Sequence, residues 1–187
     1  MAADAERALR LFFALWPDAA TRVALDRTGK WLHQHWEGRR TRPETLHLTL
    51  VFLGAVDASR LDELRQLAAQ LRAEKFALNL DQAGCWRHNR VGWLGAGDTP
   101  PVLATLVAEL ETRLESALFR FDKRAFVPHV TLLRKAHCAA SPACRPVDWP
   151  VDRFVLVESQ STESGVQYQI VGEWPLASSA AELPAPA

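Results

Sequence analysis

The chain spells one four-residue word twice, His47-Leu48-Thr49-Leu50 and His129-Val130-Thr131-Leu132. Each copy is reached by the same route: a strand-like run, a helix opened by proline, then the histidine word. A run centred near Phe13 leads to His47 across 34 residues, and one centred near Trp93 leads to His129 across 36. Two units that repeat in this order are expected to fold alike about a pseudo-twofold axis, with the two histidine strands facing each other. The expectation is a two-lobed, pseudo-symmetric α+β protein. With 187 residues, 48% of them hydrophobic, the chain is long enough for one bilobal domain, expected over 1–176. Residues 177–187, rich in alanine and proline, are expected to form a disordered tail.

Periodicity assigns the elements within each unit. Residues 9–15 read as a strand, and Pro17 with Asp18 opens a helix running to about Trp36. A second strand carries His47. Ser59-Arg-Leu-Asp62 reads as the cap of a helix whose buried stripe is Leu61, Leu64, Ala68 and Leu71. Strands are expected at 76–80 and 90–95, followed by Thr99 as cap and Pro100 as first residue of a third helix. Its inward face is Leu103, Leu106, Val107, Leu110 and Leu114. After the strand bearing His129, two more are expected at 154–158 and 167–171. Trp16, Trp31, Trp93 and Trp174 are expected to pack inside. Trp86 or Phe126 would be free to stack on a base near the cleft.

In an extended segment alternate side chains share a face. His47 therefore points with Thr49, and His129 with Thr131, while Leu48, Leu50, Val130 and Leu132 point into the core. A lone histidine in such a strand is ordinarily a hydrogen-bonded structural residue; a matched pair is different. Imidazoles titrate near pH 6.5, so two across a cleft can serve as one acid and one base. The threonine hydroxyls would donate to phosphate oxygens between them, which suits in-line displacement at phosphorus without a metal. Strict alternation puts Arg134 on the face opposite His129, so it reaches the phosphate only if the strand bulges near Leu133. His33, His35, His88 and His137 lack a partner word and are expected to be structural or exposed.

The 22 basic and 22 acidic residues cancel, which argues against a long nucleic acid held by its backbone and for a strand end, a short substrate or a nucleotide. The run Arg39-Arg40-Thr41-Arg42 leads into the first histidine strand, and Arg87-His88-Asn89-Arg90 and Lys123-Arg124 are candidates to flank the same cleft; most such runs are solvated surface, and contact of one of them with RNA phosphates stays open. The N-terminal segment has no apolar run of the secretory kind, and nothing approaches a membrane-spanning length. Cys85, Cys138 and Cys144 show no paired spacing and are expected to be reduced thiols, which suits a cytoplasmic protein and gives no zinc site. No glycine-rich phosphate loop and no Lys-x-Asp-Gly word of nucleotide-activated ligases is present.

The two histidine words, Arg10-Leu-Phe-Phe-Ala-Leu-Trp-Pro17, Phe126-Val-Pro-His-Val-Thr-Leu-Leu-Arg134 and the stretch from Ser159 to Tyr168 together resemble the two-histidine (2H) phosphoesterases. Within that superfamily the flanks are most similar to the bacterial and archaeal RNA 2',3'-cyclic phosphodiesterases, historically called 2'-5' RNA ligases. The resemblance runs from about Leu9 to Leu176. It implies two antiparallel sheets lining a central cleft with helices outside. It further implies metal-independent hydrolysis of RNA 2',3'-cyclic phosphate ends to 2'-phosphates, no cofactor, and possible ATP-independent reversal to a 2'-5' linkage. His47 and His129 would be catalytic, with His129 as base and His47 as acid. Thr49, Thr131 and Arg134 would bind the phosphate. The protein is expected to work as a monomer on RNA ends or short nucleotides. Three alternatives remain open: a phosphodiesterase of small cyclic nucleotides or 2'-5' oligonucleotides, a non-catalytic module that holds RNA ends, and metal-dependent hydrolysis.

Overall fold

The computed structural model describes residues 7–163 and 165–178. Its first strand, β1 (Ala8–Leu15), alternates so that Leu9, Leu11, Phe13 and Leu15 face a large core, while Phe12 and Ala14 face a smaller cluster on the other side. The Asp18 carboxylate accepts the Thr21 N–H at 2.7 Å and caps α1 (Ala19–Trp36), satisfying one otherwise orphaned donor. Thr21, Leu25, Gly29, Leu32 and Trp36 form its buried stripe. Gly38, at φ +81°, then turns the chain where a Cβ would lie 2.7 Å from the Arg134 carbonyl oxygen, so glycine fits this close approach. The chain continues through β2 (Arg39–Arg40), a 3-10 turn (Pro43–Thr45) and β3 (Leu48–Asp57) to α2 (Leu61–Ala69).

The remaining elements are β4 (Phe76–Leu80), β5 (Gln82–Trp86), β6 (Val91–Gly95), α3 (Pro101–Ser116), β7 (His129–Arg134), β8 (Val147–Val151), β9 (Arg153–Thr162) and β10 (Gly165–Pro175). The fold is α+β, with all paired strands antiparallel. The main sheet runs β10-β9-β1-β3-β7-β6-β5, with β2 beside β7, and β4 pairs with β8 in a second sheet. The expected face of α3 is buried as read: Leu103, Leu106, Val107, Leu110 and Leu114. Burial stabilises each such side chain by roughly 1.5–3 kcal/mol relative to exposure, far more than helix propensity contributes per residue. All three helices contribute to the large core on one side of the main sheet, which leaves the other side free for chemistry.

The first repeat supplies β1 and β3 to one half of the main sheet, which β9 and β10 complete, and the second supplies β6 and β7 to the other, which β5 completes; β3 and β7 meet at one residue pair, Leu48 opposite Val130, and β2 pairs farther along β7. Several expectations need correction. His47 precedes its strand by one residue rather than lying in it. The cap before α2 is Asp57, which accepts from the Ser59 N–H at 2.8 Å and supports a 3-10 turn; Leu67 joins the buried stripe and Leu61 is only half-buried. α3 starts at Pro101 with Pro100 as its cap, so Thr99 makes no capping bond. Trp36 and Trp149 are the fully buried tryptophans, whereas Trp16, Trp31, Trp93 and Trp174 are half-buried.

Cys85 and Cys138 form a disulfide with their Cα atoms 5.4 Å apart, and only Cys144 is free. The expectation of three reduced thiols therefore fails, and with it that ground for a reducing compartment. No helix among the described residues is long and apolar enough to cross a membrane. Ala177, expected to begin the tail, instead donates to Ala73 and accepts from Lys75. Residues 179–187 of that expected tail lie outside the described residues.

Candidate active site

Leu48 and Val130 are fully buried and point toward the helices. The antiparallel register about that pair sets their neighbours opposite one another on the other face: His47 across from Thr131, and Thr49 across from His129. Each histidine thus faces the threonine of the other word. All four side chains are half-buried.

The two rings are held by the same local device. The Nδ1 atom of His47 lies 2.8 Å from the Thr45 carbonyl, and that of His129 lies 2.7 Å from the Val127 carbonyl. A carbonyl only accepts, so Nδ1 carries the proton and donates in both rings. In the neutral state Nε2 is then the free basic nitrogen of each. The acceptors arise from local chain geometry two residues upstream: Thr45 ends the 3-10 turn, and Val127 precedes Pro128, a context that favours extended backbone.

Surroundings distinguish the rings. Trp16 stacks on His47 at 5.8 Å with planes 10° apart, Phe12 lies at 4.9 Å, and Tyr168 meets it edge-on at 5.2 Å. Trp86 meets His129 edge-on at 4.5 Å. Burial pushes His47 down to a pKa of about 4, helped by the charges of Arg134 and His129 and opposed by the Thr45 carbonyl. Burial also lowers His129, opposed by the Val127 carbonyl. Both rings are therefore neutral at pH 7 in the unliganded protein.

A cleft of about 490 Å³ is walled by Thr49, His129, Thr131 and Arg134, and continues past Trp86 and Phe126. Arg134 arrives there because β7 bulges. Thr131 pairs with Trp93 and Leu133 with Gly92, so Leu132 is the extra residue, and Leu132 and Leu133 are both buried. The bulge returns Arg134 to the face of His129 and Thr131, the condition under which the sequence allowed it near a phosphate.

One family pattern, that of LigT-like phosphoesterases, matches this chain twice, over residues 15–93 and 94–168, with one histidine word in each stretch. The chain belongs to the LigT-like phosphoesterase family. The RNA 2',3'-cyclic phosphodiesterase of Escherichia coli is 34% identical over 172 residues, covering 89% of this chain and 96% of that one. The crystal structure of Escherichia coli LigT in complex with 3'-AMP matches this LigT-like phosphoesterase with a TM-score of 0.82 at 34% identity, over 91% of this chain and 99% of that one. A Thermus thermophilus structure matches with a TM-score of 0.75 at 27% identity, over 90% and 98%.

Most of the cationic runs in this LigT-like phosphoesterase are committed to structure. Arg40 pairs with Asp26, and Arg42 donates to the Val166 carbonyl. Arg90 donates to the carbonyls of Ala136 and Lys135. Lys123 pairs with Glu115, and Arg124 with Asp122. The Nδ1 atom of His137 lies 2.8 Å from a Glu37 carboxylate oxygen. Among the described residues no group of three or more histidine, cysteine, aspartate or glutamate side chains is arranged to hold a metal ion. Two neighbours of His47 escaped the sequence reading: Phe12 was unremarked and Trp16 was expected inside. The alternation of β1 carried the signal, because Phe12, Ala14 and Trp16 share the face opposite Phe13 and Leu15.

Proposed function

We propose that this chain hydrolyses the 2',3'-cyclic phosphate at RNA ends to a 2'-phosphomonoester by two-histidine acid–base catalysis. The reading is carried by the matched Nδ1-to-carbonyl bonds of His47 and His129, which leave both Nε2 atoms free; His129 lines the cleft with Thr49, Thr131 and Arg134, and His47 lies within reach of the charges of Arg134 and His129. The names of the relatives support the substrate class.

In the proposed step His129 takes a proton from water, and the water oxygen bonds to phosphorus. The bond from phosphorus to the ribose O3' breaks, and His47 gives its proton to that oxygen, leaving the phosphate on O2'. Thr49, Thr131 and Arg134 donate to the non-bridging oxygens as charge accumulates on them. The protein's own donors thus answer each proton and charge of the step without a metal. His47 must enter the step charged although its pKa in the free protein is about 4. The bound phosphodiester anion supplies what is missing: it answers the charge of Arg134 and attracts a proton to the ring. The same path run backward lets a 5'-hydroxyl attack the cyclic phosphate, giving a 2'-5' linkage without ATP.

Incubation of an RNA oligonucleotide ending in 2',3'-cyclic phosphate with the protein in a strong chelator tests the reading. A 2'-phosphate end should appear, and His47→Ala or His129→Ala should lower the rate at least about 10²-fold. A substrate with sulfur at the 3' bridging position, whose leaving group needs no acid, should restore activity to His47→Ala and not to His129→Ala. Failure to hydrolyse, with tight binding of the RNA end kept in both variants, would make the chain a binding module instead.

A further inference from the structure

Arg39 and Arg134 are register partners across β2 and β7. Directly opposed residues project to the same face, and Arg134 lines the cleft. Arg40 projects to the opposite face, where it meets Asp26 at 2.5 Å. Arg39 therefore projects from the same face of the sheet as Arg134, directly across from it. Like charges at opposed positions destabilise a sheet, and no ion pair among the described residues relieves these two. The carboxylates nearest Arg39 in the chain, Glu37 and Glu44, lie against His137 at 2.8 Å and Arg42 at 3.5 Å, and Asp26 is held by Lys30 and Arg40.

The proposed reaction uses Arg134 and leaves Arg39 unexplained. A cyclic phosphate carries one negative charge, which Arg134 and the two threonine hydroxyls can meet. A second unanswered guanidinium beside it suits a second anion. We infer that Arg39, next to Arg134, seats the phosphodiester on the 5' side of the terminal nucleotide, so that the preferred substrate is an RNA chain end rather than a free cyclic mononucleotide. This rests on the proposed reading of the site and narrows its substrate. The planar fork of arginine matches the two free oxygens of a phosphodiester. A zero net charge also fits recognition of one or two phosphates by a local pair better than a long basic track.

Three substrates test this: adenosine 2',3'-cyclic phosphate, the same nucleotide with a 5'-phosphate, and a diadenosine dinucleotide ending in 2',3'-cyclic phosphate. In the wild type, kcat/KM should favour the dinucleotide over the plain mononucleotide. Arg39→Gln should lower that ratio at least about tenfold, mainly through KM, as loss of one charge-assisted contact predicts. The slope of log kcat/KM against log salt for the dinucleotide should become shallower by about 0.7. A comparable gain from the 5'-phosphate alone would support the seat and show that it reads phosphate, not the second nucleoside. An unchanged ratio overturns the inference. So does a lowered melting midpoint for Arg39→Gln, because removing one of two like charges should not destabilise the fold. Calorimetric titration with a dinucleotide and a mononucleotide, each bearing a 2'-phosphate, measures the seat independently of turnover. If the wild type hydrolyses nothing, the reaction is wrong, and the affinity ratio still decides on Arg39.

Discussion

A buried imidazole near an arginine stays neutral until a bound anion offsets the cost of charging it, and this should be visible in the pH dependence. The productive state needs one charged ring and one neutral ring. Lowered pKa values mean that the charged form disappears at lower pH than usual, so this state is depleted as pH rises past the higher of the two. kcat/KM reports the free protein, where burial holds both His47 and His129 below their ordinary value. Its alkaline limb should therefore fall below about pH 6.5. kcat reports the complex, where the phosphate anion counters that depression, and its limb should lie at higher pH. Rate profiles of the two parameters between pH 4 and 9 check this; coincident limbs, or a flat kcat/KM, would contradict it. At this scale the sequence was most informative about His47, His129, Thr49 and Thr131, because strand spacing puts each ring with its hydroxyl. It was least informative about what lowers the rings' pKa. Tyr168 reaches His47 from β10, a contact no local pattern encodes.

Elements with a clean period were legible and interrupted ones were not. The face of α3 repeats at helical spacing, so all five of its buried residues could be named beforehand. β5 has Gly84 at its centre, and β8 contains Pro150, so neither presented a plain run of strand formers, and both were missed. Gly84 shows what the interruption is for. It is the register partner of Trp93, and a Cβ there would overlap the Trp93 indole. That indole lies 5.4 Å from Trp86, which in turn meets His129. Gly84→Ala should displace the stack, destabilise the fold by about 1–3 kcal/mol and lower kcat more than it raises KM. Gly29→Ala is the contrasting case. Its Cβ would make an ordinary 3.8 Å contact with Leu132 inside α1, so stability should rise by about 0.5–1 kcal/mol. Denaturant unfolding and steady-state kinetics of both variants test the pair of expectations.

The whole molecule is a duplicated unit whose first half joins the second along β7, and its disulfide crosslinks the second half. Matching distances to His47 and His129 made the duplication legible, but nothing local revealed that β3 and β7 would meet at the single pair Leu48 and Val130, with β2 paired farther along β7. The disulfide was hidden for the same reason: Cys85 and Cys138 are 53 residues apart and are brought together by the folding of β5, β6 and β7. The loop it closes contains β6, α3 and β7, hence His129 and Arg134. On the chain-entropy account, closing a loop of this size disfavours the unfolded state by up to about 4 kcal/mol. A reductant should therefore lower the melting midpoint of the wild type, while a Cys85→Ser, Cys138→Ser double variant should start lower and not respond. Because Cys85 adjoins Trp86, reduction should also loosen the ring packed on His129 and lower kcat, with less effect on the His47 side. Thiol titration of the unfolded, unreduced protein should find one reactive group, Cys144. Three reactive thiols, with a midpoint indifferent to reductant, would leave the second half held by its apolar core alone.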